Sequence, residues 1–284
     1  MKQRVNRVIS PGTGSIRPAL VVGLLAVWSL VTFLDLDISI AVVNQQSSWA
    51  AFLERFGEIP GLLLSVGCLV LLTARINPAD APSRLLPYVG LTTVGSFGGM
   101  YVMAALYYGL VGNWGVFEQH GTWIWMALAI LFVGLQEWLR RGRPEWLERL
   151  RTFSMITVGL VVLNYLLCVQ VLKGVWGRVR FRELTPGYAE FTPWYLPQGL
   201  TGHTSFPSGH AAAGWLLLSL ILLVPGQARK TRAVVWALVV GWGVVVAASR
   251  VRIGAHYGSD VLFSTCTGIV LFVLLRDRIQ QEKQ

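Results

Sequence analysis

Two histidines, a carboxylate and a set of cations stand in three short stretches of an otherwise apolar chain. The stretches are Lys173-Gly-Val-Trp-Gly-Arg178-Val-Arg180, Phe206-Pro-Ser-Gly-His210, and Ser249-Arg250-Val-Arg-Ile-Gly-Ala-His256-Tyr-Gly-Ser-Asp260. His256 and Asp260 are four residues apart at the entrance to an apolar run, so on a helix they would share one face. Asp260 could then accept the proton-bearing nitrogen of the His256 ring, fixing the tautomer and leaving the other nitrogen free as nucleophile or base. Lys173, Arg180 and Arg250 can together surround a tetrahedral phosphate, the arginines with forked bonds and the lysine as a point charge. Two readings stay open for Arg178, Arg182 and Arg252: contact with lipid headgroup phosphates, or with a second phosphate of a substrate. Pro207 favours a helix start, and unblocked N–H groups at Ser208 and Gly209 there would favour an anion. His210 follows them, placed to protonate a leaving oxygen. His203 is a further candidate for substrate contact, and His120 lies elsewhere with no evident task.

The elements that must carry these residues are membrane elements. The 284 residues are 54% hydrophobic and only 13% charged, a profile of integral membrane proteins. The formal charge of +10 does not point to nucleic acid, because the cations sit in clusters between apolar runs and form no continuous basic face. Cys68, Cys168 and Cys266 lie far apart inside apolar runs, without metal or disulfide spacing. The first apolar run follows Arg17 with no small-residue cleavage site and reads as a retained helix.

Eight runs are long enough, or nearly so, to cross a bilayer: roughly 18–38, 59–74, 86–111, 121–138, 155–172, 208–225, 231–249 and 260–276. With the N-terminus inside, 17 of the 24 Lys and Arg fall on one face: Lys2, Arg4, Arg7, Arg17, Arg75, Arg84, Arg140, Arg141, Arg143, Arg149, Arg151, Arg229, Lys230, Arg232, Arg276, Arg278 and Lys283. The positive-inside rule puts that face and both termini in the cytoplasm, and all three polar stretches on the opposite side. The few carboxylates of that outer side, such as Asp35, Asp37, Glu54 and Glu58, fall mainly in the first loop. The glycines Gly90, Gly95, Gly98 and Gly99 read as places of close helix packing. Trp176, Phe181, Tyr188, Phe191, Trp194 and Tyr195 read as an interfacial aromatic belt that can also line an entry for a lipid chain.

Taken together, the three stretches resemble the signature of the type 2 phosphatidic acid phosphatase (PAP2) family, membrane lipid phosphatases related to bacterial acid phosphatases and vanadium haloperoxidases. Lys173…Arg180 resembles the first family motif, Ser208-Gly-His210 after Pro207 the second, and Ser249-Arg250…His256…Asp260 the third. Phe181 stands where the first motif normally has Pro, which implies a changed loop shape with the cation spacing kept. The resemblance covers roughly residues 86–277. It implies an all-α polytopic protein of about eight transmembrane helices with a six-helix core at 86–277. An additional helical hairpin would occupy 1–85, an extramembrane segment 173–207, and a cytoplasmic tail 278–284.

The chemistry implied by the resemblance is a two-step phosphoryl transfer through a phosphohistidine, with no metal or other cofactor. His256 would be the nucleophile, Asp260 its charge partner and His210 the acid and then the base. Lys173, Arg180, Ser208, Gly209 and Arg250 would hold the phosphate oxygens, with His203 a weaker contact. The implied partners are a phosphorylated membrane lipid and the bilayer of a bacterial inner membrane, with the site facing the periplasm or exterior. Neither nucleic acid nor an obligatory protein partner is implied. Among substrates, undecaprenyl diphosphate is weakly preferred for the outer face and the surplus cations. Phosphatidylglycerol phosphate, phosphatidic acid and lipid A phosphate are alternatives. Phosphotransfer between lipids, and non-catalytic transport or binding of a lipid phosphate, are the other readings.

Overall fold

The computed structural model describes residues 18–142 and 144–281, and among them every regular element is helical. Helix α1 (Pro18–Phe33) breaks at Leu34 into α2 (Asp35–Val42), and the two are bent by 73°. Helices α3 (Ser48–Phe56) and α4 (Ile59–Thr73) follow, then α5 (Leu85–Val111), α6 (Gly115–Gly142) and the short α7 (Pro144–Arg149). Helix α8 (Arg151–Leu160) widens into a π-helical stretch, Val161–Val171, and ends as α9 (Leu172–Trp176). The irregular segment that follows leads to α10 (Gly209–Trp215) with a 3-10 continuation, Leu216–Leu223. Helices α11 (Arg229–Arg252) and α12 (Gly258–Gln281) complete the chain.

Each of the eight apolar runs is helical, but among the described residues six spans are long and apolar enough to cross a membrane: Ser48–Thr73, Pro82–Val111, Gly115–Gly142, Arg151–Glu183, Arg229–Arg252 and Gly258–Ile279. The bent pair Val22–Phe33 and Asp35–Val42 makes a seventh if it is one span, and Gly209–Leu223 is shorter. The first run therefore differs from a single straight helix, because the break at Leu34 turns Asp35 inward. Helix is the expected state for apolar segments of this kind, since it satisfies every backbone group within the segment. Of the residues that orient the chain by charge, Lys2, Arg4, Arg7, Arg17, Arg143 and Lys283 lie outside the described residues.

The core is built where α4, α8, α10, α11 and α12 meet. Leu62, Ile156, Leu160, Val169, Trp215 and Leu216 are buried in it. Small residues set the spacing. A Cβ added to Gly61 on α4 would lie 2.0 Å from the Ala213 carbonyl oxygen of α10, and one on Gly243 of α11 would lie 2.8 Å from the Trp215 ring. On α5, Gly95 is pressed against Phe132 (2.2 Å) and Gly98 against Val66 (3.3 Å), whereas Gly90 faces open space. Close packing thus accounts for Gly95 and Gly98 and not for Gly90. Helix α1 packs on α12, and Gly258 leaves the room: its added Cβ would lie 2.5 Å from Val31 Cγ1.

Gly61→Val is expected to force α4 away from α10 and cost about 1–3 kcal/mol of stability. Gly90→Ala, on an open helix face, should cost nothing and gain up to about 1 kcal/mol. Thermal midpoints of the two purified variants in detergent check the contrast.

Candidate active site

The third stretch is held by both of its ends. Helix α11 delivers Ser249 and Arg250 in its last turn, and α12 begins with Asp260 in its first. Between them the chain turns at Gly254 (φ +71°), a left-handed conformation that favours glycine. The N–H groups of Ala255 and His256 donate back to the Arg250 carbonyl (3.0 and 3.2 Å), which pins the histidine beside the arginine. His256 therefore precedes α12 and does not share a helical face with Asp260. The geometry corrects the expected pairing. His256 Nδ1–H donates to the Ser205 carbonyl, and Asp260 Oδ2 lies 3.8 Å from the same nitrogen. A carbonyl can only accept, so Nδ1 carries the proton and Nε2 keeps the lone pair. The tautomer is the expected one, fixed by a different acceptor.

Asp260 is fully buried and occupied. Its Oδ2 accepts from Ser205 Oγ (2.6 Å) and the Tyr257 N–H (2.9 Å), and its Oδ1 from Arg178 Nη1 (2.5 Å). Arg178 is itself 1% exposed and bridges to Asp35 Oδ2 at 3.0 Å, while its guanidinium lies 4.0 Å from the centre of the Tyr257 ring. Asp35 in turn accepts from the N–H of Ser259 (2.8 Å) and from its hydroxyl. Arg178 thus belongs to a buried Asp35–Arg178–Asp260 network, and neither phosphate reading of it holds. Arg252 donates to the Val42 carbonyl (2.6 Å) and Arg182 pairs with Glu54 (2.9 Å), so they too are tied to the first helices.

In the second stretch Ser208 caps α10, its Oγ accepting from the Ala211 N–H at 3.4 Å. Its own N–H donates to the Asp260 carbonyl (3.3 Å), so this group is not unblocked as expected, and the second and third stretches are tied together. Pro207 stands before the cap and not inside the helix. Lys173 on α9 reaches over Gly209, with Nζ 3.6 Å from where a Cβ would be. Arg180 donates to Thr204 Oγ1 (2.7 Å) and leaves its buried Nε without a partner. Arg250 is 4% exposed, donates from Nη2 to Glu54 (3.1 Å), and has buried Nε and Nη1 with no partner. Lys173, Arg250 and Asp260 all act electrostatically on His256. His203 is set apart, exposed and paired with Glu183 at 3.3 Å.

His210 faces the N-terminal helices. Its Nε2–H donates to the Glu54 carbonyl (2.9 Å), and its Nδ1 lies 3.7 Å from the Glu58 carboxylate. The aromatic residues of 173–207 pack as a roof. Trp194 stacks on Trp28 at 4.4 Å and lies over Phe206, while Phe181 and Phe191 meet Tyr257 edge-on. Phe181, in place of the motif proline, thus braces the residue next to His256. The Arg182 N–H donating to the Gly254 carbonyl (3.0 Å) fixes that loop.

Sequence reasoning missed Asp35, Glu54, Glu58, Ser205 and the structural part of Arg178. A signal existed for the carboxylates. Ionisable groups beside apolar segments are costly enough to demand partners. Ser205 carried none beyond its place next to Phe206. Among the described residues, no group of three or more His, Cys, Asp or Glu is arranged to hold a metal ion.

Residues 152–283 match the family model described as the PAP2 superfamily. That similarity to the PAP2 superfamily covers a little under half of the chain. It is 34% identical over 154 residues to the lipid A 4'-phosphatase of Rhizobium leguminosarum, across 53% of this chain and 64% of that protein. A second lipid A 4'-phosphatase, from Rhizobium etli, is 33% identical over 154 residues, covering 53% and 58%. Phosphatidylglycerophosphatase B of Haemophilus influenzae is 42% identical over 80 residues, covering 26% of this chain and 33% of that one. The chain therefore spans less than two thirds of the length of these relatives. No solved structure matches it. All three polar stretches fall inside the matched residues, whereas Asp35, Glu54 and Glu58 fall outside them.

Removing one partner from a buried ion pair costs about 3–5 kcal/mol, because the remaining charge stays buried. Arg178→Met leaves two buried carboxylates facing each other and should destabilise the fold by that much, read as a lower thermal midpoint. Arg178→Lys should recover only part of the loss, since a point charge cannot fork between Asp35 and Asp260.

Burial pushes the His256 pKa down to about 3, despite the opposing pull of Asp260, and Lys173 and Arg250 add to the depression. The unfolded chain, with a histidine near 6.5, then binds the extra proton in the window between these values. Neutral His256 contributes stability above pH 6.5 that declines as pH falls towards 3. Thermal midpoints measured from pH 7 to pH 4 should therefore fall more steeply for the wild-type chain than for His256→Gln.

Proposed function

We propose that the chain is a metal-independent phosphohydrolase acting on the phosphate monoester of a membrane lipid. The observation that carries this reading is Arg250: two buried guanidinium nitrogens without partners, beside a histidine whose Nε2 lone pair is free. Buried donors of this kind favour a multivalent oxyanion. In this reading His256 Nε2 forms a bond to phosphorus as the bond to the leaving oxygen breaks. The ring becomes cationic, stabilised by the Ser205 carbonyl and by Asp260 at 3.8 Å. Arg250, Arg180, Lys173, Ser208 and the Gly209 N–H hold the equatorial oxygens. His210, protonated at Nδ1 as the substrate binds, gives that proton to the departing alcohol. It then takes one from the water that cleaves the phosphohistidine, releasing inorganic phosphate and restoring His256.

The substrate preference follows the relatives. Two are named for lipid A 4'-phosphate hydrolysis and one for phosphatidylglycerophosphate, and both are monoesters on an alcohol headgroup. They favour that class over undecaprenyl diphosphate. The bacterial relatives support a bacterial membrane protein, read as an inner-membrane one, and the distribution of basic residues supports eight crossings, cytoplasmic termini and an outward-facing site. The division into a hairpin at 1–85, a core at 86–277 and a tail at 278–284 accompanies that topology.

Phosphate release from a panel of lipid phosphates, using the purified chain, tests this reading. Turnover should persist in EDTA and fall at least about a thousandfold in His256→Ala, a loss fitting removal of a nucleophile. Full activity in that variant would sink the proposed nucleophile.

A further inference from the structure

A cavity of about 450 Å³ opens on the side of His210 away from the α10 core, between α3, α4 and α5. Its walls include Glu54, Glu58, Tyr101, Tyr108, Trp114 and His210. Its charges are unevenly distributed. Glu54 is matched by Arg182 (2.9 Å) and Arg250 (3.1 Å), and Arg55 is an exposed side chain, weakened by solvent. Glu58 is different. It is buried, accepts from the Tyr101 hydroxyl (2.9 Å) and lies 3.7 Å from the His210 ring; Lys173 and Arg250 feel its charge, but among the described residues neither is ion-paired with it. The deep wall is therefore a carboxylate without an ion-paired Lys or Arg among the described residues, next to His210. Towards the rim, Tyr108 and Trp114 stack on each other at 4.6 Å and offer flat apolar faces.

We propose that this cavity is the subsite for the leaving group, and that Glu58 selects there an uncharged, hydroxyl-bearing alcohol over a phosphate. The inference rests on the hydrolase reading above and adds a specificity residue from outside the family-matched part of the chain. The physical argument is one of charge and hydrogen bonding. A lipid phosphomonoester departs as a neutral alcohol, whose neighbouring hydroxyls can donate to Glu58 and whose C–H faces can lie on Tyr108 and Trp114. A lipid diphosphate departs as a phosphate, an anion placed against a buried carboxylate. At an effective dielectric constant near 20, like charges a few ångströms apart repel strongly enough to set a preference of about tenfold or more. The reaction itself is unchanged: the same phosphorus–oxygen bond breaks, and His210 supplies a proton to whichever oxygen leaves.

The test compares phosphatidylglycerol phosphate with undecaprenyl diphosphate as substrates of the full chain in mixed micelles. Orthophosphate serves as a competitive inhibitor that fills only the phosphate seat. The wild-type kcat/KM should favour the monoester, and Glu58→Gln should shrink that ratio about tenfold or more, with the orthophosphate inhibition constant within about twofold of wild type. Tyr101→Phe, which removes a hydrogen bond but keeps the carboxylate charge, should move the ratio less than about threefold. Ala105→Phe fills the cavity from α5. It should raise KM for the monoester about tenfold and leave orthophosphate inhibition intact. An unchanged substrate ratio in Glu58→Gln, or a Tyr101→Phe effect equal to it, overturns the proposal. So does loss of orthophosphate inhibition in Glu58→Gln, which would mark a structural role. Should Glu58→Gln fail to fold, Ala105→Phe decides: an unaltered KM overturns the subsite. Absence of phosphate release from every lipid by the wild-type chain overturns the hydrolase reading and this one together. Turnover with an unmoved ratio overturns this one alone.

Discussion

One buried guanidinium organises the site. Arg178 lies between Asp35 and Asp260, with Tyr257 against its face, and all three charged groups are at most 1% exposed. Neither carboxylate could stay ionised there without the cation, and the cation could not stay buried without them. Because the three come from α2, the segment after α9 and the start of α12, their pairing fixes the relative positions of distant parts of the chain. Ser205, Ser259 and the Tyr257 N–H add hydrogen bonds to the carboxylates. His256 then rests on Ser205, and its orientation is inherited from the network and not from a bond to Asp260.

The helices that precede the family-matched residues are part of this machinery. Asp35 closes the Arg178 network, Glu54 pairs with Arg250 and Arg182, and the Glu54 carbonyl holds His210. The bend between α1 and α2 is what delivers Asp35, and the open face of Gly258 is what lets α1 approach the start of α12. In the matched segment alone, Arg178 and Arg250 would each lose a carboxylate partner. The roof of aromatic side chains serves the same end: Trp194 on Trp28 joins the extramembrane segment to α1.

Much of the protein was legible in its sequence. The apolar runs gave the helices, because segments of that length and composition can satisfy their backbone only internally. The types and spacing of Lys173, Arg180, Ser208, His210, Arg250, His256 and Asp260 pointed to phosphate chemistry, since those side chains have little other use beside hydrocarbon. What failed was anything that depended on how a turn is closed. The four-residue interval from His256 to Asp260 implied a shared helical face, yet Gly254 and the bonds to the Arg250 carbonyl hold His256 ahead of the helix. Arg178 read like Arg182 and Arg252, and only its contacts with Asp35, 143 residues away in the chain, and with Asp260 separate its role from theirs.

The sequence by itself determined the solvent each segment can tolerate and the chemistry available at the polar stretches. Both are properties of residue types and of local spacing. Tertiary structure decided which polar groups neutralise one another, which remain unpaired, and where a cavity lies beside His210. Those outcomes depend on contacts between residues far apart in the chain. Helix period and side-chain type carry no information about them until the helices are packed.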